Sequence, residues 1–181
     1  AAGVWVMGLG DLCVLTLFFT TFLYYRAFSA ELFEESRALL RQDLGALNTI
    51  ILLTSSWCVA TAVKSQRNSA ARPRAPSLLL GALACGAAFV VVKIFEYSGA
   101  IKAGINVLTD EFFMFYFMLT GIHLLHLVVG MGLLAATTVN VRRAIAANGT
   151  PNAPLIGFAS CFWHMLDLVW IILFPLLYLL R

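Results

Sequence analysis

The chain has 181 residues, of which 61% are hydrophobic and 12% charged, and its mean hydropathy is +0.91. A soluble domain carries about twice that share of charge, so the composition excludes an ordinary water-soluble domain and indicates an integral membrane protein. A formal net charge of +3 is too small to indicate a nucleic-acid partner, which leaves the placement of the charges as the informative quantity.

Apolar runs that reach the roughly 20 residues needed to cross a bilayer extend over about Val4 to Tyr25, Leu44 to Val63, Ser77 to Tyr97, Phe112 to Val141 and Leu155 to Leu180. None alternates with period two, so each is read as a helix that satisfies its own backbone groups. The expected fold is all-α: a single domain over residues 1–181, built as a five-helix transmembrane bundle. The first run lacks the basic flank of a signal peptide and carries Asp11 in its middle, so it too reads as a span. After it, Leu32, Phe33, Leu39 and Leu40 recur at helical spacing between Glu31 and Asp43, as in a short helix on the membrane surface. Arg72-Pro-Arg-Ala-Pro76, between the second and third runs, reads as a plain turn. The third run brings Gly81, Ala82, Cys85 and Gly86 to one side, which permits close approach of a neighbouring helix. Pro175 removes a backbone donor from the fifth run and should bend it. Cys13, Cys58, Cys85 and Cys161 occupy different runs without zinc-ligand spacing and read as small buried thiols. Trp5, Tyr24, Tyr25, Tyr97 and Tyr178 fall near run ends, where amphipathic rings suit the headgroup layer.

The connections suggest an orientation. Lys64, Arg67, Arg72 and Arg74 lie between the second and third runs and Arg142 and Arg143 between the fourth and fifth, with no acid in either loop. The other two loops mix both signs. By the positive-inside rule the purely basic loops are cytoplasmic, which sets the N terminus in the cytoplasm and the C terminus in the periplasm.

Ionisable groups inside the runs are Asp11, Lys93, Glu96, His123, His126, His164 and Asp167. A carboxylate at mid-membrane costs at least about 2.5 kcal/mol, so each needs a partner, a proton or a polar cavity. At about 1.5 Å of rise per residue, Asp11 lies roughly 10 Å from the inner boundary and His164 and Asp167 roughly 14 to 18 Å from it. His126 comes within about 10 Å of the same boundary in a core about 30 Å thick. One reading is a hydrogen-bonded cluster of Asp11, His126 and His164, with Asp167 or His123; the other is that each group is satisfied separately. Lys93 and Glu96, three apart near the outer end of their helix, read as an intrahelical pair in which Lys93 snorkels outward and Glu96 faces inward. A histidine pair clamping haem and a small proton-coupled transporter built on Asp11 and Glu96 are rival classes.

The phrases LTGIHLLHLVVGMGLL (Leu119 to Leu134) and FWHMLDLVW (Phe162 to Trp170), with FEY (Phe95 to Tyr97) and LNT (Leu47 to Thr49), resemble subunit III of the haem-copper oxidase superfamily, in its short five-helix bacterial form. The resemblance runs through every span. FLYYRA, LLTSSW and DEFFMFYFMLTGIHLLH look most similar to the NorE-type branch associated with nitric oxide reductases. It implies an accessory subunit of a bacterial inner-membrane respiratory complex, without catalytic residues, metal or redox cofactor, beside a subunit I-type catalytic partner that holds haem and copper or iron. It further implies membrane lipid as neighbour, phospholipid as a compatible ligand, and no nucleic acid or small-molecule substrate. The parent complex would be a nitric oxide reductase or, alternatively, an oxygen-reducing cytochrome c or quinol oxidase. In relatives a carbodiimide-reactive carboxylate near a proton-entry region matches Asp11, where many have Glu. Glu96, His123, His126, His164, Asp167 and Trp170 fall on motif positions and would make structural polar contacts. The two-helix lipid-holding arm of longer members has no counterpart among these runs.

Overall fold

The computed structural model describes residues 10, 16–25, 27–28, 42–66, 72–105 and 109–179, with Leu179 described by its backbone alone. Residues 16–25 form α1, followed by α2 (Gln42–Gln66), α3 (Ala75–Lys102), α4 (Glu111–Ala146) and α5 (Ala153–Phe174). No strand occurs among the described residues. Four helical stretches, Gln42–Gln66, Arg72–Lys102, Glu111–Ala146 and Ala153–Tyr178, are long and apolar enough to cross a membrane. Of the first expected span, 16–25 is helical, and Asp11 lies outside the described residues. The expected surface helix over Glu31 to Asp43 also lies outside them, apart from Gln42 and Asp43, which open α2.

The way the helices meet is set by a repeat in the sequence. On α3 the buried residues are Ala75, Leu79, Ala82, Gly86, Phe89, Lys93 and Glu96. Their spacing alternates four and three, an average of 3.5, and α2 repeats it through Gly45, Asn48, Leu52, Ser55, Val59 and Ala62. On α5 the same rhythm runs through Ile156, Ala159, Trp163, Leu166, Trp170 and Leu173. A 3.5-residue repeat keeps one stripe of each helix against its neighbours with a slight left-handed coil. The opposite faces present Ile50, Leu53, Trp57, Ile94, Phe95, Leu125 and Leu168 outward, as expected of a surface that meets hydrocarbon.

Large and small residues alternate along the stripes. Trp163 fits because Gly86 and Gly130 lack side chains: a Cβ added at Gly86 would come 3.1 Å from the Trp163 ring, and one at Gly130 would come 2.9 Å from Leu166 and 3.1 Å from Trp163. Gly45 likewise makes room for Phe174 and Tyr178. The expected close approach at the small residues of α3 therefore occurs at Ala82 and Gly86. Gly81 has only ordinary contact, with Cys58 Sγ at 3.8 Å.

Helix ends depart from the sequence reading in two places. Arg72–Arg74 is a 3₁₀ turn that runs straight into α3, with Pro76 in its first turn, in place of the expected plain turn. The first backbone donors of a helix have no intrahelical partner, so Pro76 sacrifices nothing there. Pro175 is absorbed by widening: Pro175–Leu179 continues α5 as π-helical turns, which carry Tyr178 back into the bundle. At the far ends of α3 and α4, Gly104 (φ +81°) and Asn148 (φ +50°) take the left-handed conformation. Ile105 N–H and Gly149 N–H then close onto the carbonyls of Ala100 and Ala144, the hydrogen-bonded pattern that stops a helix. Arg72 donates to the Gly149 carbonyl at 3.4 Å, so the two purely basic loops lie at one end of the bundle.

Candidate functional site

The strongest concentration of polar chemistry is at the other end, where α3 finishes, α4 begins and the π-helical tail of α5 returns. The 3.5 repeat places Lys93 and Glu96 on the buried stripe of α3, and their exposures are 0% and 9%. The Lys93 ammonium reaches Glu96 Oε2 at 3.0 Å, Tyr178 Oη at 2.9 Å and Tyr116 Oη at 3.4 Å. Its three donors thus have three acceptors. The other carboxylate oxygen, Oε1, accepts from Tyr116 Oη at 2.8 Å and from Tyr178 Oη. The rings of Trp170, Tyr116, Tyr178 and Tyr97 lie 4.9, 5.2, 5.4 and 5.9 Å from the ammonium, a cage whose π faces favour a cation. Tyr97 bonds Thr120 Oγ1 at 2.6 Å, and Thr120 donates to the Tyr116 carbonyl, which holds the wall of the cage on α4.

This arrangement corrects two expectations. Lys93 does not snorkel outward, because both phenols and the carboxylate offer it partners inside. Tyr178 is no headgroup anchor, since the tail turns it inward to 0% exposure. Lys93, Tyr116 and Tyr178 were missed as site residues. The signal for Lys93 is its place in the heptad stripe, whereas Tyr178 depends on a π-helical turn that no periodicity announces.

Below the cage, hydroxyls and indoles tie the helices together. Trp163 Nε1–H donates to Ser55 Oγ at 3.0 Å, and Ser55 donates to the Ala82 carbonyl at 3.1 Å, joining α5, α2 and α3. Trp170 Nε1–H donates to Thr49 Oγ1 at 3.1 Å. Ser56 Oγ and His164 Nδ1 are 2.8 Å apart.

The remaining site residues of the sequence reading separate. Asp11 lies outside the described residues. His126 Nδ1 pairs with the Ile122 carbonyl of its own helix at 2.9 Å, while His164 turns to Ser56 on α2. His123 is buried against Trp170 and Phe89, with ring centroids 5.3 and 5.8 Å away. Asp167 is buried, and its Oδ2 stands 3.7 Å from His164 Nδ1, beyond hydrogen-bond length. Of the proposed cluster, His164 and Asp167 are thus neighbours, and His126 bonds elsewhere. The thiols are less buried than expected: Cys58 and Cys85 are half-buried and Cys161 is exposed, because the heptad stripe passes them by. Cys13 lies outside the described residues. Among the described residues no three His, Cys, Asp or Glu side chains converge as metal ligands.

The cage holds a buried ion pair and ties α3, α4 and the tail of α5 together. Residues 36–180 match the family model described as cytochrome c oxidase subunit III. The chain belongs to the cytochrome c oxidase subunit III family. Among its relatives is a probable quinol oxidase subunit 3 from Staphylococcus saprophyticus, 26% identical, with 98% of this chain and 87% of the relative covered. Cytochrome c oxidase subunit 3 of Bacillus sp. (strain PS3) is 27% identical over 98% of this chain and 84% of its own length. Quinol oxidase subunit 3 of Bacillus subtilis is 26% identical over 98% and 85% respectively. Subunits III of this family hold no cofactor; those groups sit in subunit I. With four helices able to span a bilayer, this member is a multi-pass membrane protein.

Proposed function

We propose that the chain is the accessory subunit III of a bacterial inner-membrane haem-copper oxidase, of the cytochrome c or quinol type, and that it packs against a subunit I-type catalytic partner to brace it. The observation that carries this is the family match over residues 36–180, supported by relatives aligned along 98% of the chain. Those relatives are oxidase subunits, so the oxidase reading replaces the lean towards nitric oxide reductase that the wording of the first and fourth spans suggested. The orientation follows the charge rule: the basic loops joined by the Arg72 to Gly149 bond face the cytoplasm, and the caged ion pair lies near the periplasmic boundary, about 27 Å along α3. The first span, with Asp11, completes five crossings in this scheme, and any part it has in proton supply is secondary.

The rival classes fit less well. A haem clamped by His164 and either His123 or His126 would need an open slot beside them, yet His123 lies against Trp170 and Phe89, His126 Nδ1 is bonded to the Ile122 carbonyl and His164 Nδ1 to Ser56. A transporter working through Glu96 would have to break a fully partnered ion pair. Purification through a tag on this chain in mild detergent is expected to recover a haem-bearing catalytic subunit in equal amount. Recovery of the chain alone at high yield would contradict the proposal.

A further inference from the structure

Along the middle of the membrane the outward faces of α3 and α4 carry apolar side chains: Leu80, Ala84, Ala87 and Val91 on one, Leu125, Val128 and Val129 on the other. The seam between α2 and α5 differs. There the His164 side chain is 37% exposed. It lies about 16 Å along α5 from Ala153, halfway through a hydrocarbon core about 30 Å thick. Its Nδ1 is 2.8 Å from Ser56 Oγ on α2, which fixes the ring in the seam. Trp57, which follows Ser56, and Leu168, one turn on from His164, are 66% and 61% exposed and flank the imidazole.

Hydrocarbon neither donates nor accepts a hydrogen bond, so a half-open imidazole at that depth calls for a polar neighbour. Lipid headgroups, about 15 Å away on either side, are too far to serve. The described part of the first span packs on α4, with Phe22 and Tyr25 against Phe115. Because α2 and α4 each meet α3 and α5, they stand at opposite corners of the bundle, and the seam opens on the side away from that contact.

The ring sets the chemistry of the neighbour. Asp167 Oδ2 stands 3.7 Å from the same Nδ1, and a carboxylate on that side favours a proton there, shared with Ser56. In the neutral ring Nε2 is then the bare nitrogen, an acceptor. Whatever covers it must bring a donor: a hydroxyl, an amide or an indole N–H. Towards the basic loops the seam is lined by Ala60, Gly157 and Cys161, all exposed and small, so a helix has room to lie close. Trp57 and Leu168 suit the apolar side of such a helix as well as they suit lipid.

We propose that the α2–α5 seam around His164 is the docking surface for a transmembrane helix of the haem-bearing catalytic subunit, and that this helix donates a hydrogen bond to His164 Nε2 at mid-membrane. The proposal rests on the reading of the chain as an oxidase subunit and adds which face meets the partner.

Two measurements on the intact complex test it. Photoreactive benzoylphenylalanine is placed at Trp57 or, for comparison, at Leu125 on the outer face of α4, and native membranes are irradiated. Position 57 should crosslink to the haem-bearing subunit and position 125 should not. The second measurement is the dissociation constant of the complex for His164→Asn and His164→Gln. Asn sets its amide where Nδ1 was and keeps the bond to Ser56, whereas Gln reaches the place of Nε2. Asn should weaken association about fivefold, the worth of one hydrogen bond, and Gln should weaken it less. The reverse order would mean that only the Ser56 bond matters and would overturn the proposal. If the unsubstituted chain recovers no haem-bearing subunit, the oxidase reading fails and this proposal with it. If it recovers one, yet position 57 labels only lipid or a second copy of this chain, the docking surface alone is wrong.

Discussion

Replacing Lys93 with Met is expected to be among the most damaging single changes in the chain. It leaves Glu96 at 9% exposure without its countercharge, and breaking one side of a buried ion pair costs about 3–5 kcal/mol. For a chain of this size that corresponds to a fall of at least about 6 °C in the transition temperature. The double change Lys93→Met with Glu96→Leu should recover much of the loss, since a packed apolar pair of similar volume is often as stable as the ions it replaces. Thermal unfolding of the purified preparation, read for each single variant and the double variant, checks the coupling. A Lys93→Met chain as stable as the parent would mean that the cage does not constrain α3, α4 and the tail of α5.

Trp163→Ala should be comparably severe. Its side chain is 0% exposed, fills the space left by Gly86 and Gly130, and anchors Ser55. Truncating a buried Trp to Ala costs about 3–5 kcal/mol through lost transfer energy and the cavity left behind. Trp163→Phe keeps most of the volume but loses the bond to Ser55, so about 1 kcal/mol is expected from that bond alone. The same thermal measurement separates them: Ala should fall several-fold further than Phe. Equal effects would place the role of Trp163 in its N–H rather than in its bulk.

The transmembrane class and the boundaries of most helices could be read directly, because apolar length and the positions of charges decide them. The span beginning near Phe112 begins as α4 at Glu111, and that beginning near Leu155 begins as α5 at Ala153. Depth along a span was a poorer guide to contact, because it takes no account of which way a side chain faces around its helix. The sequence places His126 and His164 at overlapping expected depths, yet one bonds its own helix and the other bonds α2. The heptad stripe carries that missing angle: it runs through Lys93 and Glu96 on α3 and leaves Phe95 on the outer face. Snorkelling was the wrong expectation for Lys93 because it treats the interior as hydrocarbon. Here Glu96 and the hydroxyls of Tyr116 and Tyr178 make the interior polar around it. Tyr178 could not have been placed without the π-helical turns that follow Pro175.

Removing this chain from the proposed oxidase complex, with the catalytic subunit left in place, separates bracing from reaction. The stripped catalytic subunit is expected to keep its haem content and its initial turnover rate, and to lose activity sooner on warming or during sustained turnover. Loss of all turnover with the haem intact, or a catalytic subunit no less durable without this chain, would contradict a bracing role.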